Sequence, residues 1–176
     1  EYVLNYSLNA VINRCGVIAG PGQFGKVDQG VFTLWVARHI MGLPLKYTGF
    51  GGGGKQVRDL LHPTDLFELI EKQVADLPGC SGEIFNVGGG YPVSTSLCEF
   101  TTLCQNITGH KTAVSSDLST HSVDIPFYIS DCSKAHKTFG WKPTRGVSDI
   151  IKDIAGWIRK NQESLKCIFN RSDHSH

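Results

Sequence analysis

Short apolar runs that stop at glycine, each followed by a stretch of helical length, constrain this chain more than any other feature. Ala10-Val11-Ile12-Asn13-Arg14-Cys15 reads as a strand, and Gly20-Pro21-Gly22 closes it. Leu45 to Tyr47, Gln56 to Leu61, Glu83 to Val87 and Phe127 to Ile129 read as further strands. Between them the spacing of apolar residues predicts helices. One is capped by Asp28 and runs to about Met41, with Val31, Leu34, Trp35 and Ile40 near helical spacing. Another follows Pro63 to about Asp76, with Asp65 and Glu68 spaced as a capping box. Ser96 with Glu99 forms a second box, opening a helix that ends at Thr108 before Gly109. Ser133 to Phe139 and about Ser148 to Lys160 complete the set, and residues 1–8 look like the end of a helix. Strands alternating with helices are the pattern of an α/β protein. The parallel strands are too few for a free-standing doubly wound sheet, so the chain is expected to be part of a larger one.

Composition removes several function classes. Lys+Arg 17 against Asp+Glu 16 leaves no charge excess for nucleic acid or an anionic membrane surface. No apolar run is long enough to span a bilayer. The first ten residues lack Met and show no basic leader before an apolar stretch. The sequence is therefore expected to start inside a helix of a cut or processed chain, without a signal peptide. The six cysteines, at 15, 80, 98, 104, 132 and 167, form no Cys-x-x-Cys pair, so no zinc site is expected. A chain 40% apolar has no need of disulfide staples, and reduced, packed thiols point to a cytoplasmic location.

Two glycine motifs invite misreading. Gly20-Pro21-Gly22-Gln23-Phe24-Gly25 matches the dinucleotide fingerprint, but no helix opens directly after it and no acidic residue closes a second strand about 20 residues on. Gly49-Phe50-Gly51-Gly52-Gly53-Gly54-Lys55 matches most of a phosphate loop. Gln56 replaces the Ser or Thr that would hold magnesium, and a strand follows where a helix is required. A glycine loop beside a ligand is the better reading.

Four blocks, in order, carry a resemblance. Arg14 to Gly30 is similar to the strand and loop that follow the catalytic helix of the extended short-chain dehydrogenases/reductases. Gly51 to Asp65, containing Gly54-Lys55-Gln56-Val57-Arg58-Asp59, resembles their Arg-Asp strand and next helix. Glu83 to Gly89 resembles the late strand of the dinucleotide sheet. Asp124-Ile125-Pro126 to Asp131, with Gly140-Trp141-Lys142-Pro143, resembles the C-terminal motif. Within the NAD-dependent epimerase/dehydratase family, Asp28-Gln29-Gly30, the Arg-Asp block and Asp124-Ile125-Pro126 are most like the CDP-tyvelose/CDP-paratose 2-epimerase branch.

The resemblance implies an α/β fold: the C-terminal part of an extended Rossmann-type NAD(P)-binding fold, with the last sheet strands and the smaller substrate-binding lobe. Residues 1–169 would form this nucleotide-sugar-binding region and residues 170–176 a frayed tail. It also implies NAD as cofactor, taking a hydride from a sugar carbon and returning it to the opposite face. The base in such enzymes is the tyrosine of Tyr-x-x-x-Lys. No tyrosine here, at 2, 6, 47, 91 or 128, has lysine four residues on. The chain is therefore expected to hold no catalytic residue and to be inactive alone. Its partners would be a nucleotide-diphosphate sugar, CDP-sugars favoured, and either a missing N-terminal half or a second copy. A truncated, non-catalytic binding module and a fragment of a 4-epimerase or 4,6-dehydratase are the alternatives.

Arg58 is the foremost candidate, because a diphosphate suits a planar, permanently charged donor fork. An ion pair to Asp59 or Asp65 is its alternative. Gln23, Gln29, Lys55 and His121 are further substrate-binding candidates, and Cys15, Gly16 and Val17 would face the nicotinamide. His121 stands where the family usually has an arginine, three residues before Asp124. Lacking the fork and the permanent charge, it makes diphosphate affinity weaker or pH-dependent. Gly53 stands where this branch would have a lysine. Tyr47 is weighed between base stacking and the core, Asp65 is read as a helix cap, His62 as a packed strand-end residue, and Trp141 and Trp157 as core.

Overall fold

A computed structural model describes residues 1–25, 30–122 and 124–169. The elements run α1 Tyr2–Tyr6, β1 Ile12–Cys15, β2 Val17–Ile18, α2 Val31–Met41, β3 Leu45–Thr48, β4 Val57–Leu61, α3 Pro63–Ala75 and β5 Ile84–Val87. They continue β6 Ser94–Ser96, α4 Leu97–Thr108, β7 Val114–Asp117, β8 Phe127–Tyr128, α5 Ser133–Phe139, α6 Val147–Lys160 and α7 Gln162–Phe169. The strands form three small sheets, and the α/β expectation holds.

β4 is the hub. Its last two residues, Leu60 and Leu61, pair in parallel with β2. Val57 and Arg58 pair antiparallel with β6 and in parallel with β8, so both edges of its first half are filled. Alternate side chains leave a strand on opposite faces, and β4 uses this to join two cores. Leu60 enters a core built by α2, α4 and α6, where Phe32, Trp35, Phe100, Ile150, Ile154 and Ile158 meet. Leu61 enters the second, with Leu69 of α3, Phe85 and Val87 of β5, and Trp141. Each such side chain contributes roughly 1.5–3 kcal/mol by leaving water.

The α6 stripe of Ile150, Ile151, Ile154 and Ile158 is buried, as its spacing predicts. The Ser96 box is formed: Ser96 Oγ accepts from the Glu99 amide at 3.3 Å and Glu99 Oε2 accepts from the Ser96 amide at 2.9 Å. Gly109 and Gly140 stop α4 and α5 in the left-handed conformation, at φ 79° and 59°. The first box is not formed. His62 caps α3 instead, its Nδ1 accepting from the Thr64 amide at 3.1 Å. Asp65 is wholly buried and accepts from the Thr144 and Arg145 amides, both at 3.2 Å, and from Arg145 Nη1 at 2.6 Å. It ties α3 to the segment before α6. The cap expected at Asp28 lies outside the described residues; α2 is preceded by Gly30, at φ 75°.

All six cysteines are free. No helix among the described residues is long and apolar enough to cross a membrane. Nor do they contain a group of three His, Cys, Asp or Glu able to hold a metal ion.

Candidate functional site

One extended segment, residues 12–18, changes partner in mid-course. β1 pairs in parallel with β5, Cys15 lying opposite Val87. The Gly16 amide still donates to the Val87 carbonyl at 2.8 Å. From Val17 the segment pairs with β4 instead. β4 and β5 therefore part at Gly16, and a crevice at the carboxyl ends of parallel strands is where α/β sheets take ligands.

Buried polar groups line the inner side of this fork. Asp59 is 0% exposed, and its Oδ2 accepts from the Gly90 amide at 2.9 Å. A Cβ on Gly16 would lie 2.9 Å from Ser130 Oγ and 3.2 Å from Asp59 Oδ1. Asp59 Oδ1 and Ser130 Oγ have no hydrogen-bond partner among the described residues. Gly16 is thus small because a carboxylate and a hydroxyl occupy the space a side chain would fill. Cys15 is exposed at the mouth, and Val17 packs partly against the larger core. A hollow of about 340 Å³ lies beyond the end of β5, bordered by Gly88, Gly90, Ser130, Cys132 and Trp141. Arg58 does not border it.

Arg58 sits on the opposite face of β4 from Asp59, as strand alternation requires. Neither Asp59 nor Asp65 is its partner. Nη2 donates to the Ile125 carbonyl at 2.8 Å and lies 3.3 Å from Asp124 Oδ1, while Nη1 donates to the Val57 carbonyl at 2.8 Å. The Asp124 amide donates to the His121 carbonyl at 3.0 Å, which closes a turn. Arg58 is thereby tied to Asp124, whose amide is in turn held by the His121 carbonyl, although 66 residues separate Arg58 from Asp124. The glycine loop borders the preceding stretch, where the Phe50 amide donates to Thr120 Oγ1 at 2.8 Å and Ser116 Oγ to the Gly52 carbonyl at 2.7 Å. Lys55 is exposed at the exit of that loop.

The other candidates have different placements. Both ends of the Gln23 amide are engaged inside the protein. Nε2 donates to the Ile18 carbonyl at 3.0 Å and Oε1 accepts from Thr33 Oγ1 at 2.5 Å, tying β2 to α2. Gln29 lies outside the described residues. Tyr47 belongs to the core: it stacks on Trp35 with centroids 5.6 Å apart, and its hydroxyl donates to Thr101 at 2.7 Å. Trp141 is buried, its Nε1 donating to the Asp65 carbonyl at 2.9 Å.

The glycine run at 49–55 does not form a phosphate-loop geometry. Strand β4, not a helix, follows the run at residues 49–55. Gly25 packs on the start of α2, where a Cβ would come 2.3 Å from the Gly30 carbonyl oxygen, and the residues directly after it lie outside the described ones.

A family model for GDP-mannose 4,6 dehydratase matches residues 1–154. The chain belongs to this family. Its members are extended short-chain dehydrogenases/reductases, and the mixed α/β structure agrees. This GDP-mannose 4,6 dehydratase family chain is 28% identical over 165 residues to the CDP-paratose 2-epimerase of Salmonella typhi, covering 89% of itself and 48% of that protein. The UDP-glucose 4-epimerase of Thermotoga maritima, solved with UDP-glucose, superposes at a TM-score of 0.76 with 23% identity, over 92% of this chain and 49% of the other. The dTDP-glucose 4,6-dehydratase of Bacillus anthracis, solved with NAD, does so at 0.75 with 25% identity, over 95% and 50%. The chain thus spans about half the length of the relatives it matches.

Two features of this family member escape sequence reasoning. Phe50 has a left-handed backbone, φ 47°, unusual for a residue with a side chain, and is 36% exposed at the loop tip. Its glycine neighbours were the available signal. Asp124, quoted above only as part of a motif, is the carboxylate that meets Arg58, and no spacing rule links the two.

Proposed function

We propose that this chain is the nucleotide-sugar-binding portion of an NAD-dependent epimerase of the CDP-paratose/CDP-tyvelose 2-epimerase kind, with the catalytic base supplied by residues outside these 176. The observation that supports this is that Arg58 Nη2 donates to the Ile125 carbonyl at 2.8 Å and meets Asp124, which fixes the guanidinium against the Asp124-Ile125 segment. The ligand is a nucleotide-diphosphate sugar, held by Arg58 with Lys55 as a secondary cation and His121 as a further contact. Gln23, engaged internally, acts by shaping the loop rather than by touching the ligand. Gln29 remains a proposed contact.

For NAD, the fit lies at the fork. Cys15 ends β1 exposed, and the Gly16 amide is already bonded to Val87, so the strand end can lie flat beneath a planar ring. Cys15, Gly16 and Val17 would border that cofactor, which supplies the hydride acceptor when bound. The open face of β1 and β5 is covered by a partner, either the rest of an epimerase-length chain or a second copy. The absence of Tyr-x-x-x-Lys favours a second reading, a non-catalytic binding module.

Calorimetric titration of the chain with CDP, UDP and dTDP tests the ligand, with CDP expected to bind best. Arg58→Ala removes charged hydrogen bonds worth roughly 1.5–3 kcal/mol and is expected to weaken CDP at least tenfold. An unchanged dissociation constant removes Arg58 from the site. Binding of UDP or dTDP in preference to CDP moves the chain toward the 4-epimerases or dehydratases.

A further inference from the structure

The guanidinium proposed for the diphosphate is already occupied by an anion of the protein. Asp124 Oδ1 lies 3.3 Å from Arg58 Nη2, and the pair is half-open to solvent, with side-chain exposures of 34% and 20%. Asp124 does not depend on Arg58 alone, because the same Oδ1 accepts from its own neighbour's amide, Ile125, at 2.9 Å. Arg58 has a second anchor on that loop, the Ile125 carbonyl. Losing the carboxylate contact therefore leaves both partners held by backbone groups. Such an ion pair is weak and exchangeable. A diphosphate carries more charge than one carboxylate and offers more acceptor oxygens to the fork.

We propose that Asp124 is a built-in competitor for the ligand's phosphate at Arg58: it holds the guanidinium in place until a diphosphate takes over the Nη2 edge, and it lowers the affinity of every ligand that must displace it. This rests on the diphosphate reading of Arg58. The carboxylate thereby acts as a specificity-determining residue. It sets how much negative charge a ligand must bring to take the Nη2 edge.

A double-mutant cycle on the full chain tests this, read by calorimetric titration with CDP, inorganic pyrophosphate and cytidine. Asp124→Asn keeps the loop's hydrogen-bonding shape and removes the charge. It is expected to tighten CDP and pyrophosphate about three- to fivefold, the scale of one half-exposed ion pair, and to leave cytidine unchanged. In an Arg58→Ala background the same change is expected to do nothing. Asp124→Glu keeps the charge and is expected to show no tightening, and circular dichroism confirms that each variant is folded. Weakened CDP binding in Asp124→Asn, or equal tightening with and without Arg58, overturns the competitor role while leaving Arg58 in the site. Indifference of CDP binding to Arg58→Ala, or no binding by any form, removes the diphosphate reading and this inference with it.

Discussion

Asp65 shows how one residue's role is decided by what surrounds it. Its position in the first turn of α3 and its spacing to Glu68 match a capping pair, and the cap goes to His62. The carboxylate is buried and collects four donors from Thr144 and Arg145. Arg145 reaches Glu68 as well, at 3.0 Å. Asp65→Ala leaves the two half-buried amides and the guanidinium without their acceptor, so a loss of about 2–4 kcal/mol is expected. The urea midpoint measures it, and a loss under about 0.5 kcal/mol, the level of an ordinary surface change, would show that the tie between α3 and residues 144–145 carries no stability. Arg58 makes the same point from the other side. Its type and its strand were legible, while its partner, 66 residues away, was not.

At the scale of elements, α3 carries a pH dependence. His62 is buried at its start, and desolvation lowers its pKa below the ordinary histidine value. Nδ1 accepts from the Thr64 amide, and Nε2 lies 3.4 Å from Asp153 of α6. Besides Asp153, which opposes the shift, Arg145, Asp65 and Asp149 bear on the ring. The unfolded chain therefore takes up the proton first. Stability from the neutral cap is complete above about pH 6.5, the unfolded value, and is lost as pH falls through the lower folded value. His62→Asn keeps a capping acceptor without the titration, so thermal melts are expected to lose part of their slope as pH falls below about 6.5. An identical slope in wild type and variant would assign the acid sensitivity elsewhere. The strongly patterned elements, α4, α5 and α6, were legible from sequence because caps and an apolar stripe are local signals. β6, Ser94–Ser96, and β7, Val114–Asp117, were not, because polar residues give no alternation and only pairing with β4 and β3 makes them strands. The same holds for α7, whose Leu165 and Phe169 complete the larger core.

For the whole molecule, the β1–β5 pair is the exposed flank. Asn13 faces α3, its side chain exchanging two hydrogen bonds with Gln73 at 2.8 and 2.9 Å. Ile12 and its register partner Ile84 stay 56% and 37% exposed. Phe67, Ile70 and Val74 add an exposed apolar stripe on α3. Parallel strands normally have both faces covered. The chain by itself is accordingly expected to be marginally stable and to self-associate. Ile12→Lys, at about 1 kcal/mol for a half-exposed isoleucine, is expected to raise the dissociation constant about fivefold in sedimentation without lowering the melting temperature. A sharp, high-temperature melt of a monomer would show that this flank needs no cover.

The sequence by itself determined the capped and apolar-striped helices, the apolar strands, the family, and the arginine most suited to a diphosphate. Periodicity, caps and motif order are written in neighbouring residues. Tertiary structure alone decided the partner exchange at Gly16, the buried Asp59 and Ser130 behind it, the duty of Asp65 and the carboxylate that meets Arg58. Those depend on which distant strands share an edge, and pairing across 66 residues is set by the packing of two cores about β4, which no local pattern encodes.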